Sequence, residues 1–429
     1  MRYTLPSSEL FITNRKNFTS HLKPGALAVF NSNDQMPTNA DGLMPFRQNN
    51  DVFYLTGIDQ EETILLLFPD FYHSHQREIL ILKETSELIA IWEGHKFTKE
   101  EAREISGIET VMWLSEFRQI FHTLMAEATH VYLNTNEHIR AVVEVETRDA
   151  RFGQWCRKKY PDHHYERSAP IMHRLRAIKS EEEIDMMQQA CNITEAGFRR
   201  VLGFMKSGVT EYEIEAEFIH EFLRRRSRGF AYEPIIASGL NACVLHYLSN
   251  TETCHDGDLV LMDIGAEYGN YNADMTRCVP VNGKFSKRQK DVYNAVLRVK
   301  RAAEEMLKPG NVIPEYHEEV GKFMESELLG LNLIDKTDIK NQDPKSPAYK
   351  KYFMHGTSHH LGLDVHDVGN IYREMEPGMV FTVEPGIYIR EEKLGVRIED
   401  NLLIKEDGLI NLMENIPIEV EEIEELMNA

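Results

Sequence analysis

The sequence predicts an α+β protein of two parts: a smaller α/β domain over residues 1–172, then a larger domain of helices and antiparallel strands over 173–429. Three observations predict this. A chain of 429 residues exceeds one small core and suits two domains of roughly 100–200 residues. Its first part alternates short apolar, strand-like runs with helical stretches. Beyond Ser180, long capped helices alternate with pairs of strand-like segments.

The elements follow in chain order. Gly25–Ser32, Phe53–Ile58, Thr63–Phe68 and Arg77–Lys83 read as strands. Ser115–Ala128 and Glu137–Lys159 read as helical. The segment PDHHYERSAPIMHRLRAIKS is polar, and the domain boundary falls inside it. Ser180 with Glu183 forms a capping box for a helix reaching about Met205. Thr210 with Glu213 opens a second helix, running to about Arg228 before Gly229. SKRQKDVYNAVLRVKRAAEEML forms a third. The acidic tail EVEEIEELMNA reads as a solvated helical end.

Composition narrows the function. Asp and Glu outnumber Lys and Arg by 69 to 48, a net charge of −21, which repels phosphate backbones and excludes nucleic acid as a partner. No apolar run approaches the ~20 residues of a membrane helix, and the N-terminus shows no signal-peptide pattern. Five cysteines without a CxxC pair suit reduced thiols and a cytoplasmic location.

Two hairpins carry acids inside apolar strands. In LVLMDIGAEYGNYNADMTRCVPV, a turn centred between Tyr268 and Gly269 makes Asp263 and Asp274 cross-strand partners. In MVFTVEPGIYI and GVRIEDNLLI, a turn centred between Glu391 and Glu392 opposes Glu384 to Glu399, with Pro385 marking a bulge. Facing carboxylates repel unless a cation compensates. A buried acid paired with Arg277 or Arg397 explains one such pair equally well. Two pairs beside the histidine-rich stretch HGTSHHLGLDVHD favour a metal centre, since four carboxylates offset two divalent cations and hard oxygen donors suit Mn²⁺. His355 and His359 have the spacing of a helical zinc site, but Gly356 replaces its glutamate and the segment is poor helix material. Spacing does not choose among His355, His359, His360 and His366.

The stretches HGTSHHLGLDVHD, LVLMDIGAEYGNYNADMTR, FTVEPGIYI and GVRIEDN resemble the signatures of the pita-bread metallopeptidases, over about residues 172–429. That resemblance implies a C-terminal pita-bread catalytic domain with Asp263, Asp274, His359, Glu384 and Glu399 as metal ligands. Asp274 and Glu399 would bridge the two ions. It further implies Glu384, His366 and His246 in catalysis, and His246, His355 and His366 at the substrate. Arg397 would buttress the metal carboxylates. His360 receives no role. The implied cofactors are two divalent metal ions, Mn²⁺ first, with Zn²⁺ or Co²⁺ as alternatives.

Within the family, FRQNNDVFYLTGID resembles the N-terminal domain of aminopeptidase P, and NGKFSKRQKDVYNAVL resembles the same group. The implied activity is hydrolysis of the N-terminal Xaa-Pro bond of peptides by a metal-bridging hydroxide. The implied partners are peptides with proline second, and a homodimer or homotetramer. Prolidase, acting on dipeptides, is the alternative. A metal-free binding module is disfavoured by the complete ligand set, and a calcium-binding structural domain by the clustered histidines and the absence of an EF-hand spacing.

Overall fold

The computed structural model describes residues 3–429. The chain divides into two units: Leu5–Arg176, and Ala177–Ala429 together with Tyr3 and Thr4.

The first unit is built on a six-stranded mixed sheet. Its strand order is Thr110–Trp113, Glu78–Leu82, Ile64–Leu67, Ala26–Asn31, His130–Leu133, His164–Arg167. The central strands are buried along their length, as continuous apolar runs dictate. Aliphatic side chains from them meet Phe117, Phe121 and Leu124 of the helix Phe117–Glu127 in one core.

Three local expectations fail in this unit. Phe53–Ile58 is not a strand but the end of a helix, Asn50–Thr56. The Asn49 side chain accepts from the amides of Asp51 and Val52, and Gly57 closes the helix at φ 69°. These caps outweigh the strand propensity of its Val, Phe and Tyr. Of the helix expected over Glu137–Lys159, only Arg148–Lys159 forms. Residues 137–146, rich in β-branched side chains, are irregular, with Ile139, Val142 and Val145 exposed. The polar segment before Ser180 contains a strand, His164–Arg167, and a helix, Ala169–Ala177.

The second unit repeats one pattern twice. The helices Glu181–Phe204 and Glu211–Arg224 pack together and precede a three-stranded antiparallel sheet ordered Met275–Pro280, Leu259–Ile264, Ile235–Ser238. The helices Lys287–Met306 and Ile313–Gly330 pack together and precede a second sheet, Val380–Val383, Asp400–Lys405, Gly408–Asn411. A two-stranded ribbon, Gly386–Ile389 with Leu394–Arg397, continues from it. The Ser180 capping box forms as predicted. The Thr210–Glu213 box forms as well, the Glu213 carboxylate accepting from the Thr210 amide and hydroxyl, and that helix stops at Arg224 rather than Arg228. The acidic tail is helical over Val420–Met427, yet Val420 and Ile423 are buried, so one face packs rather than being solvated.

All five cysteines are buried and free. No helix among the described residues is long and apolar enough to cross a membrane.

Candidate metal centre

The two acid-bearing hairpins meet. In the first, Thr276 and not Asp274 pairs with Asp263, two residues from the expected register. The turn is centred between Gly269 and Asn270, which both take left-handed conformations, φ 59° and 67°, as a tight hairpin turn requires. A slip of two partners preserves the face, so Asp263 and Asp274 still point the same way. Between them the ladder breaks at Gly265. A Cβ there would lie 1.8 Å from the Ala273 carbonyl oxygen, so only glycine admits the crossing. In the second hairpin the expected register holds, Gly386 opposing Arg397 and Val383 opposing Asp400. Glu384 and Glu399 occupy the gap around Pro385 where one sheet hands over to the other. Thr276 pairs with Glu399 across the two hairpins.

Three donor groups converge: a carboxylate oxygen each from Asp274 and Glu399 and a ring nitrogen of His359 lie within 4.8 Å of one another. His359 Nε2 is 3.4 Å from Asp274 and 3.6 Å from Glu384. Its Nδ1 is 2.9 Å from the His360 carbonyl oxygen. A donor bond there leaves Nε2 unprotonated and aimed at the acids, the tautomer that metal-ligating histidines use.

Each carboxylate is held by its own partner. Thr276 Oγ1 donates to Glu399 at 2.7 Å. Arg397 donates to Asp263. The Tyr232 hydroxyl lies 2.6 Å from both Asp263 and Asp274. One phenol proton serves one acceptor, so without a cation the second contact requires a proton on a carboxyl. Burial, reinforced by Asp263, drives the Asp274 carboxyl well above its ordinary range. Burial and Asp274 do the same to Glu399, and burial and Glu399 to Glu384. One arginine does not neutralise four acids. The donor set, oxygen-rich with one imidazole, therefore fits divalent cations.

His355 belongs to a second chain of contacts. Arg397 donates to the Tyr388 hydroxyl at 2.8 Å, and that hydroxyl lies 2.7 Å from His355 Nε2. Burial, with the Arg397 charge, lowers the His355 pKa to about 3, so the ring is neutral and accepts from Tyr388. His366 stacks edge-on against His359, with ring centroids 4.4 Å apart. His246 is exposed, on the loop after the turn Gly239–Cys243, near enough to His355 for its charge to be felt there. His360 is buried against Phe381.

Sequence reasoning missed several residues that shape this pocket. Tyr232 and Tyr388 read as ordinary aromatics. Glu211 accepts from the Ser238 amide and hydroxyl, the Tyr247 hydroxyl and the Glu252 amide, pinning both ends of the loop that carries His246. Its polar neighbours were the only signal. Lys179 and Asp367 form a fully buried pair at 3.2 Å beneath the His366 segment.

The family description "Metallopeptidase family M24" matches residues 185–406, and "Aminopeptidase P, N-terminal domain" matches residues 11–132. The Xaa-Pro aminopeptidase of Escherichia coli K12 is 36% identical, with 99% of this chain and 98% of that protein covered. The Xaa-Pro aminopeptidase of Haemophilus influenzae is 35% identical, with coverage of 99% and 98%. Among solved structures, Pseudomonas aeruginosa aminopeptidase PepP superposes with a TM-score of 0.90 at 30% identity, covering 99% and 98% of the two chains. Zn-substituted E. coli aminopeptidase P in complex with product gives 0.88 at 34%, covering 99% of each. The chain is therefore a metal-dependent hydrolase with a pita-bread catalytic domain and belongs to metallopeptidase family M24, in its aminopeptidase P group.

Proposed function

We propose that this protein removes the first residue from peptides whose second residue is proline, and that Asp263, Asp274, His359, Glu384 and Glu399 hold two divalent cations for that purpose. The observation that carries the reading is the convergence of Asp274, His359 and Glu399 donors within 4.8 Å in a pocket of under-compensated acids. The full-length similarity to Xaa-Pro aminopeptidases supports the substrate class. Mn²⁺ is the cation we assign, because the donors are mainly hard oxygens. We assign the chemistry to residues 173–429, with 1–172 as the accessory domain. A cytoplasmic location, supported by the five unpaired thiols, completes the reading, together with a homodimer or homotetramer, an inference from the family resemblance alone.

Bound cations would supply Lewis acidity toward the scissile carbonyl and lower the pKa of the attacking water. The chain's own groups do the rest. Asp274 and Glu399 would hold both cations, with Asp263 serving one and His359 and Glu384 the other. Arg397 and Tyr232 hold Asp263 in place. Glu384 takes the water's proton and delivers it to the proline nitrogen, which must become a secondary amine to leave. Its burial favours the proton-carrying form. His366 and His246 donate to the carbonyl oxygen as it gains charge, and neutral His355 contacts the substrate. An Xaa-Pro bond is a tertiary amide without an N–H, so a site that grips the carbonyl and the free amine, not the amide hydrogen, suits it.

The deciding assay compares an Xaa-Pro-Xaa tripeptide with an Xaa-Pro dipeptide, with Mn²⁺ and after chelation. Tripeptide cleavage that is lost on chelation is expected. Turnover of dipeptides alone would make the protein a prolidase, and undiminished activity without metal would end the proposal.

A further inference from the structure

Asn401 lies two residues beyond Glu399, fully buried, and its backbone is committed elsewhere. It pairs with Thr382 in the second sheet, and its carbonyl accepts from the Leu412 amide. Its side chain turns to the other hairpin. Oδ1 accepts from the Asp274 amide at 3.0 Å, and Nδ2 donates to the Asp274 carbonyl at 2.6 Å. The Cys191 thiol donates to Oδ1 at 3.5 Å. The Asp274 amide donates and its carbonyl accepts, so the carboxamide has one workable orientation.

The register explains why a side chain is needed. Thr276 pairs with Glu399, so antiparallel counting sets Asp274 opposite 401. At that position the strand has already turned to Val380–Val383, and no backbone amide remains for Asp274. A carboxamide presents an N–H donor and a C=O acceptor side by side, so it can meet the carbonyl and the amide of one residue together. It completes the ladder that the strand's departure breaks.

From this we infer that Asn401 is a positioning residue for the metal centre: by clamping the Asp274 backbone to the strand of Glu399, it sets the separation of the two carboxylates assigned above to both cations. The inference rests on that metal assignment. Its effect reaches the ions through Asp274 alone, since the Asn401 side chain is spent on the backbone.

Mn²⁺ titration calorimetry and the exchange-coupled spin signal of paired Mn²⁺ test it, using the full chain freed of metal. Wild type must bind two ions; fewer would refute the metal assignment itself. Given two, Asn401→Ala should weaken the weaker site about tenfold or more, the scale of orienting interactions behind metal ligands. It should also diminish the coupled signal and lower kcat for the tripeptide with KM within about twofold. Asn250 makes an equivalent two-point clamp on Pro234 and Ile236, so Asn250→Ala, matched by urea denaturation, controls for stability and should leave Mn²⁺ affinity unchanged. Should Asn401→Ala not fold, Asn401→Ser, which keeps one hydroxyl for the two backbone groups, is read the same way with at least a threefold effect. Mn²⁺ affinity within twofold of wild type in the folded variant, or weakening equal to that of Asn250→Ala, would overturn the inference.

Discussion

Glu399 and Asp400 are consecutive, both almost fully buried, and face opposite neighbourhoods. Asp400 meets Arg277 Nη2 and Lys300 Nζ, each at 2.6 Å, and accepts from Asn411. Burial pushes its carboxyl up, but those two cations win and hold it below the ordinary range. Glu399 meets Thr276 and other acids, and burial with Asp274 drives it far upward. One strand thus carries a charge that the protein has neutralised and, beside it, one that it has left short of cations. On the metal assignment proposed above, the difference separates a structural acid from one that holds a cation.

Breaking the short side should have the largest effect. Asp274→Ala or Glu399→Ala should remove bound metal, measured by elemental analysis. Tripeptide turnover should fall by more than about a hundredfold, the upper end of what losing a partner behind the ligands does. Retained metal with wild-type turnover would erase the contrast. On the complete side, Asp400→Ala takes the only carboxylate from buried Arg277 and leaves Lys300 with Glu304 alone, and should lose roughly 3–5 kcal/mol in urea denaturation.

Asp149 in the first unit sharpens the comparison, because amides rather than cations surround it. The Asn31 amide and carboxamide donate to it, and burial raises its pKa from 3.8 to about 7. The folded form then binds more protons than the unfolded chain between these values, so stability falls as pH rises through that window. Asp149→Asn should flatten the dependence and add on the order of 2–4 kcal/mol at pH 8. Parallel stability curves for both proteins from pH 5 to 8 would refute the assignment. The smallest effect belongs to Thr276→Val, which removes one bond to Glu399 and should weaken Mn²⁺ binding by a few-fold, at about 1 kcal/mol.

How much was legible follows the range of each interaction. The second hairpin's register could be counted from its turn. The first could not, because Gly269 and Asn270 share the left-handed turn and move its centre by one residue. The cap residues Asn49 and Gly57 marked a helix that strand-like side chains disguised. Tyr232, Glu211 and Asn401 act on partners 27 to 127 residues away, and nothing in their immediate surroundings signals a role. The acids were visible because charge inside an apolar strand is anomalous by itself.

Cys156 is the one thiol of Leu5–Arg176, while Cys191, Cys243, Cys254 and Cys278 lie in the other unit, all of them buried. Each sulfur reacts with an alkylating probe only when its surroundings open. Timed labelling followed by mass spectrometry would therefore read separate breathing rates for the two halves of an unmodified protein, with metal-dependent slowing expected at Cys191 and Cys278 before Cys156.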